Sequence, residues 1–202
     1  MSLQRITCDQ GADALQHVCD PCTRELGRVR GVLLIDPGFN LASLIEKLKS
    51  GTSEAVSQAQ TAFETGVAEG KIHLISETTG SYTPEAQTGD GYGDEADRVL
   101  GYNHSLAFND PSYAGNRDFW AAAEKSKFIV GWRTETLLHF SDKAARIQAL
   151  DPVETDLNSA VVWQVTATWS SKEKDQLAPL DPLAKYFEGC WENPQGSSVG
   201  SN

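Results

Sequence analysis

Residues 128–140, FIVGWRTETLLHF, and residues 161–169, VVWQVTATW, decide the fold class. In the first, Phe128, Val130, Trp132, Thr134, Thr136, Leu138 and Phe140 recur every second position and define one face of a single long strand. In the second, Val161, Trp163, Val165, Ala167 and Trp169 do the same, with Gln164, Thr166 and Thr168 on the reverse. Strict alternation is the mark of a half-buried strand, and two such strands in succession argue for an antiparallel sheet with one face covered. Trp132, Trp163, Trp169, Phe128 and Val165 are therefore expected to share one core.

Working outward, Leu100, Tyr102, His104, Leu106 and Phe108 alternate in the same way. Asn109-Asp110-Pro111 turns the chain after them, and Asn116 is placed to cap a short helix carrying Phe119, Trp120 and Ala123. Further upstream, residues 29–36 (VRGVLLID) read as a strand closed by Pro37-Gly38, and residues 71–76 (KIHLIS) as another. Between them lie two helical patterns. Leu41, Leu44, Ile45 and Leu48 form the first, ended by Ser50-Gly51. The second spans 52–68, with Val56, Ala59, Phe63 and Val67 as its stripe and Gly70 in the C-terminal glycine position. These elements predict an α+β fold: an antiparallel β-sandwich or open barrel with flanking helices. The chain divides into a cysteine-bearing segment (1–27), one domain (28–192) and a Gly/Ser-rich tail (193–202) expected to be flexible.

Residues 77–97, ETTGSYTPEAQTGDGYGDEAD, break the pattern. They carry no continuous apolar face, so a long acidic hairpin arm or a mobile loop is expected here. An arm of this kind needs contacts from elsewhere. Ser81, Tyr82, Asp90, Tyr92 and Asp94 are the residues expected to touch a neighbouring subunit, with Glu95 and Asp97 adding charge.

The chain has 202 residues, 40% of them hydrophobic, enough for a sizeable core without a disulfide staple. Its 28 acidic and 17 basic residues give a formal charge of −11. A surface of that sign repels phosphates, so specific DNA or RNA binding is disfavoured. No stretch has the ~18 apolar residues of a membrane span, and the N-terminus lacks the apolar core of a secretion signal. The expectation is a soluble, intracellularly made protein.

The four cysteines are Cys8, Cys19, Cys22 and Cys190. Cys19-Asp20-Pro21-Cys22 offers two thiolates from a tight turn, as a zinc knuckle does; Cys8 and Cys190 would complete a tetrahedral structural zinc site. Free thiols and disulfides are the competing readings, and His17 is an alternative ligand. Other chemistry is thin. His73, His104 and His139 fall on strands without metal spacing, and His104 reads as a core histidine. Residues 66–71, GVAEGK, miss the phosphate-loop spacing and end a helix instead of opening one. Asp90, Asp94, Glu95 and Asp97 lack the ligand order of a calcium loop. Trp120, Trp132, Trp163 and Trp169 sit on core faces, which leaves Trp191 as a surface anchor. No catalytic constellation emerges.

Taken together, the C-D-P-C N-terminus, the strand VRGVLLI, the acidic TTGSYTPEAQTGDGYGDEAD, the following RVLGYNHSLAFNDPSYAGNRDFW and the strand SKFIVGWRTETLLHF resemble virion structural proteins of tailed phages of Bacteroidota. The resemblance is to those that stack as rings in the tail tube or head–tail connector. It implies a β-sandwich or β-barrel protomer with a flanking helix and a hairpin arm, closed into a homo-oligomeric ring around a DNA channel. It also implies other virion proteins as partners, no membrane, assembly in the host cytoplasm and no catalytic residues. An acidic channel suits DNA that must slide without sticking. The alternative is a small β-sandwich binding module that recognises carbohydrate or a protein partner through the acidic loop and Trp191.

Overall fold

Residues 31–35, GVLLI, have no polar side chain on either face. In the computed structural model of the chain they form strand β1 (Gly31–Ile35), buried along its whole length. The structure describes residues 27–76, 78–89, 98–152 and 161–188. Val32 and Leu34 enter one hydrophobic core, and Leu33 and Ile35 enter a second on the opposite side. A strand apolar on both faces needs cover on both. The rest of the chain supplies it.

Two helices cover the Leu33–Ile35 side. Asn40 caps α1 (Leu41–Ser50) by accepting from the Ser43 N–H at 3.2 Å, and Thr52 caps α2 (Ser53–Ala68) by accepting from Ala55. Gly70, with φ +69, ends α2; its N–H donates to Val67 and that of Lys71 to Gly66. This left-handed exit is where glycine is favoured. Leu41, Leu44, Ile45, Leu48, Ala59 and Phe63 are the buried stripe of the two helices.

The remaining elements are β2 (Ile72–Ile75), β3 (Thr79–Gly89), β4 (Arg98–Asp110), α3 (Arg117–Ala123), β5 (Lys127–Arg133), β6 (Leu137–Phe140), β7 (Ala145–Leu150), β8 (Trp163–Ser171), β9 (Gln176–Pro179) and a 3₁₀ turn, Asp181–Phe187. Among the described residues every named strand pair is antiparallel. The order is β2-β1-β5-β7-β8-β4-β3, with β6 beside β5 and β9 beside β6. The sheet curls far enough for Val29, just before β1, to bridge Gly80 in β3. A Cβ at Gly80 would strike the Ala107 carbonyl oxygen and Phe108 of β4, so the close β3–β4 pairing at this point requires glycine. Inside the curl lie Trp132, Trp163, Trp169 and Val165, with Phe128 packed against them, and Trp120 of α3 joins the same core. The architecture is α+β.

The period of two over 128–140 does not belong to one strand. Thr134 takes a backbone bond from its own N–H to Leu137 at 3.0 Å, and the chain folds into a hairpin in which Gly131 faces Phe140 and Trp132 faces His139. Val130 and Trp132 stay in the first core, whereas Leu138 and Phe140 enter the second. An alternation that continues through a tight turn changes sides, and the unbroken spacing concealed this. β7 was also unanticipated: Ala145, Ile147 and Ala149 alternate cleanly but include two small residues, and Leu150 is apolar on the exposed face.

Trp163 is 6% exposed and donates its Nε1–H to the Tyr113 carbonyl at 2.8 Å. Trp163→Ala should lower the urea-unfolding free energy by about 3–5 kcal/mol. The exposed Thr168→Ala on the reverse face should change it by about 0.5 kcal/mol or less. Comparable losses at both sites would contradict the burial of this face.

Candidate functional site

The longest feature is the β3–β4 hairpin, paired from Thr79↔Asn109 to Gly89↔Arg98. Its own β4 supplies the backbone partners that a neighbouring subunit was expected to give. The pairs of β4 with β8 end at Tyr102↔Ser171, so the last hairpin pairs, from Gln87↔Gly101 onward, run beyond the adjoining strand. There the register shifts at Gln87/Thr88 and leaves Leu100 as the extra residue of a bulge. Val99 and Leu100 are 55% and 59% exposed, two adjacent apolar side chains on this strand end, and Leu100 shares a shallow concavity with Asp142, Lys143, Ser171, Lys172 and Glu173.

β3 is the last strand of the sheet, and residues 83–88 are exposed. Pro84 pairs with His104 but has no N–H to give it. The backbone groups of Tyr82, Pro84 and Ala86 therefore face the open edge, where Pro84 interrupts the run of donors.

Below the hairpin the even-numbered side chains turn inward. Tyr82 is half-buried, its ring centroid 4.4 Å from that of Trp132, and its hydroxyl lies 2.7 Å from His104 Nδ1. Buried His104 stacks on Trp169 at 5.0 Å, and its Nε2 has no hydrogen-bond partner among the described residues. Burial raises the Tyr82 phenol well above its ordinary range, and the charge and hydrogen bond of Asp175, with the charge of Asp142, push the same way. The phenol stays protonated. Next to it, His139 Nδ1–H donates to Asp175 Oδ2 at 2.5 Å, each side chain 17% exposed. Burial works to raise the Asp175 carboxyl, but His139's hydrogen bond and charge bring it below its usual value. Thr134 lies 3.4 Å from His139 Nε2, which gives the order of a hydroxyl, a base and an orienting carboxylate. Thr134 is buried, however, and its hydroxyl also donates to the Leu137 carbonyl at 3.3 Å. What this row does is hold the β5–β6 turn and tie Asp175 to it.

Several concavities open on the surface, and two of them carry charged or aromatic side chains away from the open edge. One, about 630 Å³, is lined by Arg30, Arg133, Ser76, Thr79, Asn109 and Glu188 among others. Arg133 lies 5.3 Å over the Phe187 ring, and its Nε is buried without a partner among the described residues. Burial lowers the Arg133 guanidinium, Arg30's like charge lowers it further, and Glu188 works against both. The other, about 290 Å³, is a largely apolar cleft between α2, β2 and α3. In it His73 meets Phe119 and Phe128 edge-on.

Of the expected contact residues, Ser81 is exposed on β3 and Tyr82 is packed inward. Asp90, Tyr92, Asp94, Glu95 and Asp97 lie outside the described residues, as do Cys8, Cys19, Cys22, Cys190, His17, Trp191 and the tail 193–202. Among the described residues no cluster of His, Cys, Asp or Glu could hold a metal, and no helix is long and apolar enough to cross a membrane. His104 is a core histidine, as its apolar neighbours indicated. Asp175 was missed because it sits in the charged run SKEKDQ, and Arg133 because it lies on the reverse of an apolar strand. Comparison with protein-family models, with curated proteins and with solved structures finds no match.

The titratable groups set an acid limit. Burial holds the His73 imidazole below its ordinary value, partly opposed by Asp36. A folded-state value below the unfolded one gives stability that is complete above about pH 6.5 and fades as pH falls. Asp175 acts in the same direction, from about pH 3.9 downward. Urea midpoints should therefore drop below about pH 6.5 and again below about pH 4. His73→Phe should remove the first drop, and a drop that persists in that variant would place its origin elsewhere. Asp175→Asn should lose about 1–3 kcal/mol at pH 7 and flatten the second.

Proposed function

We propose that the chain is a non-enzymatic structural protein of the ring-forming virion type, tail tube or head–tail connector. In this reading its copies join through the β3–β4 hairpin, and the ring leaves a channel for DNA. The curled sheet is then an open barrel, and the hairpin with its acidic 90–97 segment is the assembly arm. The observation that carries the reading is the hairpin end beyond β8, with Val99 and Leu100 exposed on it. Adjacent exposed apolar side chains at the end of a hairpin that outruns the adjoining strand are natural at an interface. The charge of −11 fits a conduit, because an acidic wall attracts no phosphates. Partners are copies of itself and other virion proteins, the location is the virion, and DNA passes without specific contact.

Sedimentation velocity and negative-stain electron microscopy test this directly. The purified chain should form rings or stacked tubes, and Val99→Asp with Leu100→Asp should convert them to folded monomers with an unchanged circular dichroism spectrum. A wild-type chain that stays monomeric at high concentration would overturn the reading. The second reading, a monomeric binding module, draws on the apolar cleft of about 290 Å³ between α2, β2 and α3. It requires a chain that remains monomeric and gains thermal stability with a carbohydrate or a protein partner.

A further inference from the structure

Arg30 and Arg133 stand together at the base of the β3–β4 hairpin, joined through a bond from the Arg30 N–H to the Arg133 carbonyl at 3.1 Å. Both line the cavity of about 630 Å³ with the hydroxyls of Ser76 and Thr79 and the amide of Asn109. Among the described residues neither guanidinium has an ion pair, although acidic residues outnumber basic ones 28 to 17. Glu188 at the rim offsets one of the two charges. A surplus positive charge with donors around it suits a carboxylate, which a guanidinium grips with two parallel hydrogen bonds. We infer that this cavity is a carboxylate-binding site, and that its ligand is the acidic segment 90–97 of a second copy of the chain.

The hairpin itself makes the contact intermolecular. Thr79 and Asn109 form its base and Gly89 and Arg98 its far end. Ten residue steps of strand separate them by about 33 Å. The eight residues between Gly89 and Arg98 can extend at most roughly 16 Å from those anchors. Asp90, Asp94, Glu95 and Asp97 therefore cannot return to their own Arg30 and Arg133. A donor at one end of a rigid element and an acceptor at the other either exchange between two antiparallel copies or repeat head to tail, and the head-to-tail joint gives rings or tubes. The inference thus deepens the assembly reading and names its contact.

The test uses the full-length chain with its acidic segment neutralised by Asp90→Asn, Asp94→Asn, Glu95→Gln and Asp97→Asn, which leaves the cavity free. Calorimetric titration with an end-capped peptide of residues 88–98, TGDGYGDEADR, should give saturable binding. Adding Arg30→Gln and Arg133→Gln should weaken it about tenfold or more, and raised salt should weaken it too. Absent binding, or binding indifferent to the arginines, overturns the inference. A parallel titration with inorganic phosphate separates the sources: arginine-dependent phosphate binding without peptide binding makes this a small-anion site and also overturns it. Should the arginine variant fail to fold, the neutralised chain decides, because it must lose assembly where wild type assembles. If both assemble alike, the carboxylate contact falls and the ring reading stands. If wild type is monomeric yet binds the peptide through its arginines, the ring reading falls and the site stands.

Discussion

Strand β1 has no face it can show to water, and the rest of the architecture follows from that. Val32 and Leu34 require the curled sheet on one side, and Leu33 and Ile35 require helices on the other. Burying four aliphatic side chains of this size is worth about 1.5–3 kcal/mol each, so neither layer is optional. β5 repeats the arrangement beside it, with Val130 and Trp132 inside the curl and Ile129 packed against the helical core. A single β1–β5 wall thus serves two cores, and a disturbance in one is felt in the other.

Polar groups specify the ends of the inner core. At one end the buried Asp110 accepts from Trp120 Nε1 at 2.8 Å, Asn116 Nδ2 at 2.7 Å and the Ser112 N–H at 3.0 Å. Those three donors fasten α3 across the opening, and Asn116 spends its amide there instead of on a side-chain cap for the helix it precedes. At the other end Tyr82, His104, His139 and Asp175 form a second network among the rings of Trp132 and Trp169. Hydrogen bonds of this kind add modestly to stability, but each fits only one register of its strands.

The strands and helices with large apolar residues were readable from spacing alone: β1, the stripes of α1 and α2, and the inner faces of β4 and β8. The turn at Thr134 was not, because Thr-Glu-Thr carries neither glycine nor proline and the apolar rhythm continues on both sides of it. β9 hid in a short stretch that ends in proline, and β7 hid behind its alanines. The polar sites depend on encounters that spacing does not record. Asp175 meets His139 across 36 positions, and Arg30 meets Arg133 only because β1 and β5 are neighbours. Tyr82 was read as an outward contact on composition, whereas strand alternation relative to Gly80 turns it inward.

Pro84 has a consequence for how chains of this kind behave when crowded. Open edges usually grow by backbone zippering, which is strong, indifferent to side chains and difficult to reverse. With a missing donor in the middle of its outward row, β3 is a poor template for that growth. Joints made near it must rest on side chains, whose geometry is specific and whose charged part weakens with salt. A chain with this edge resists strand-by-strand aggregation where an unbroken edge would zipper. Protection of that edge is thus written into one ring of atoms that cannot donate a hydrogen bond.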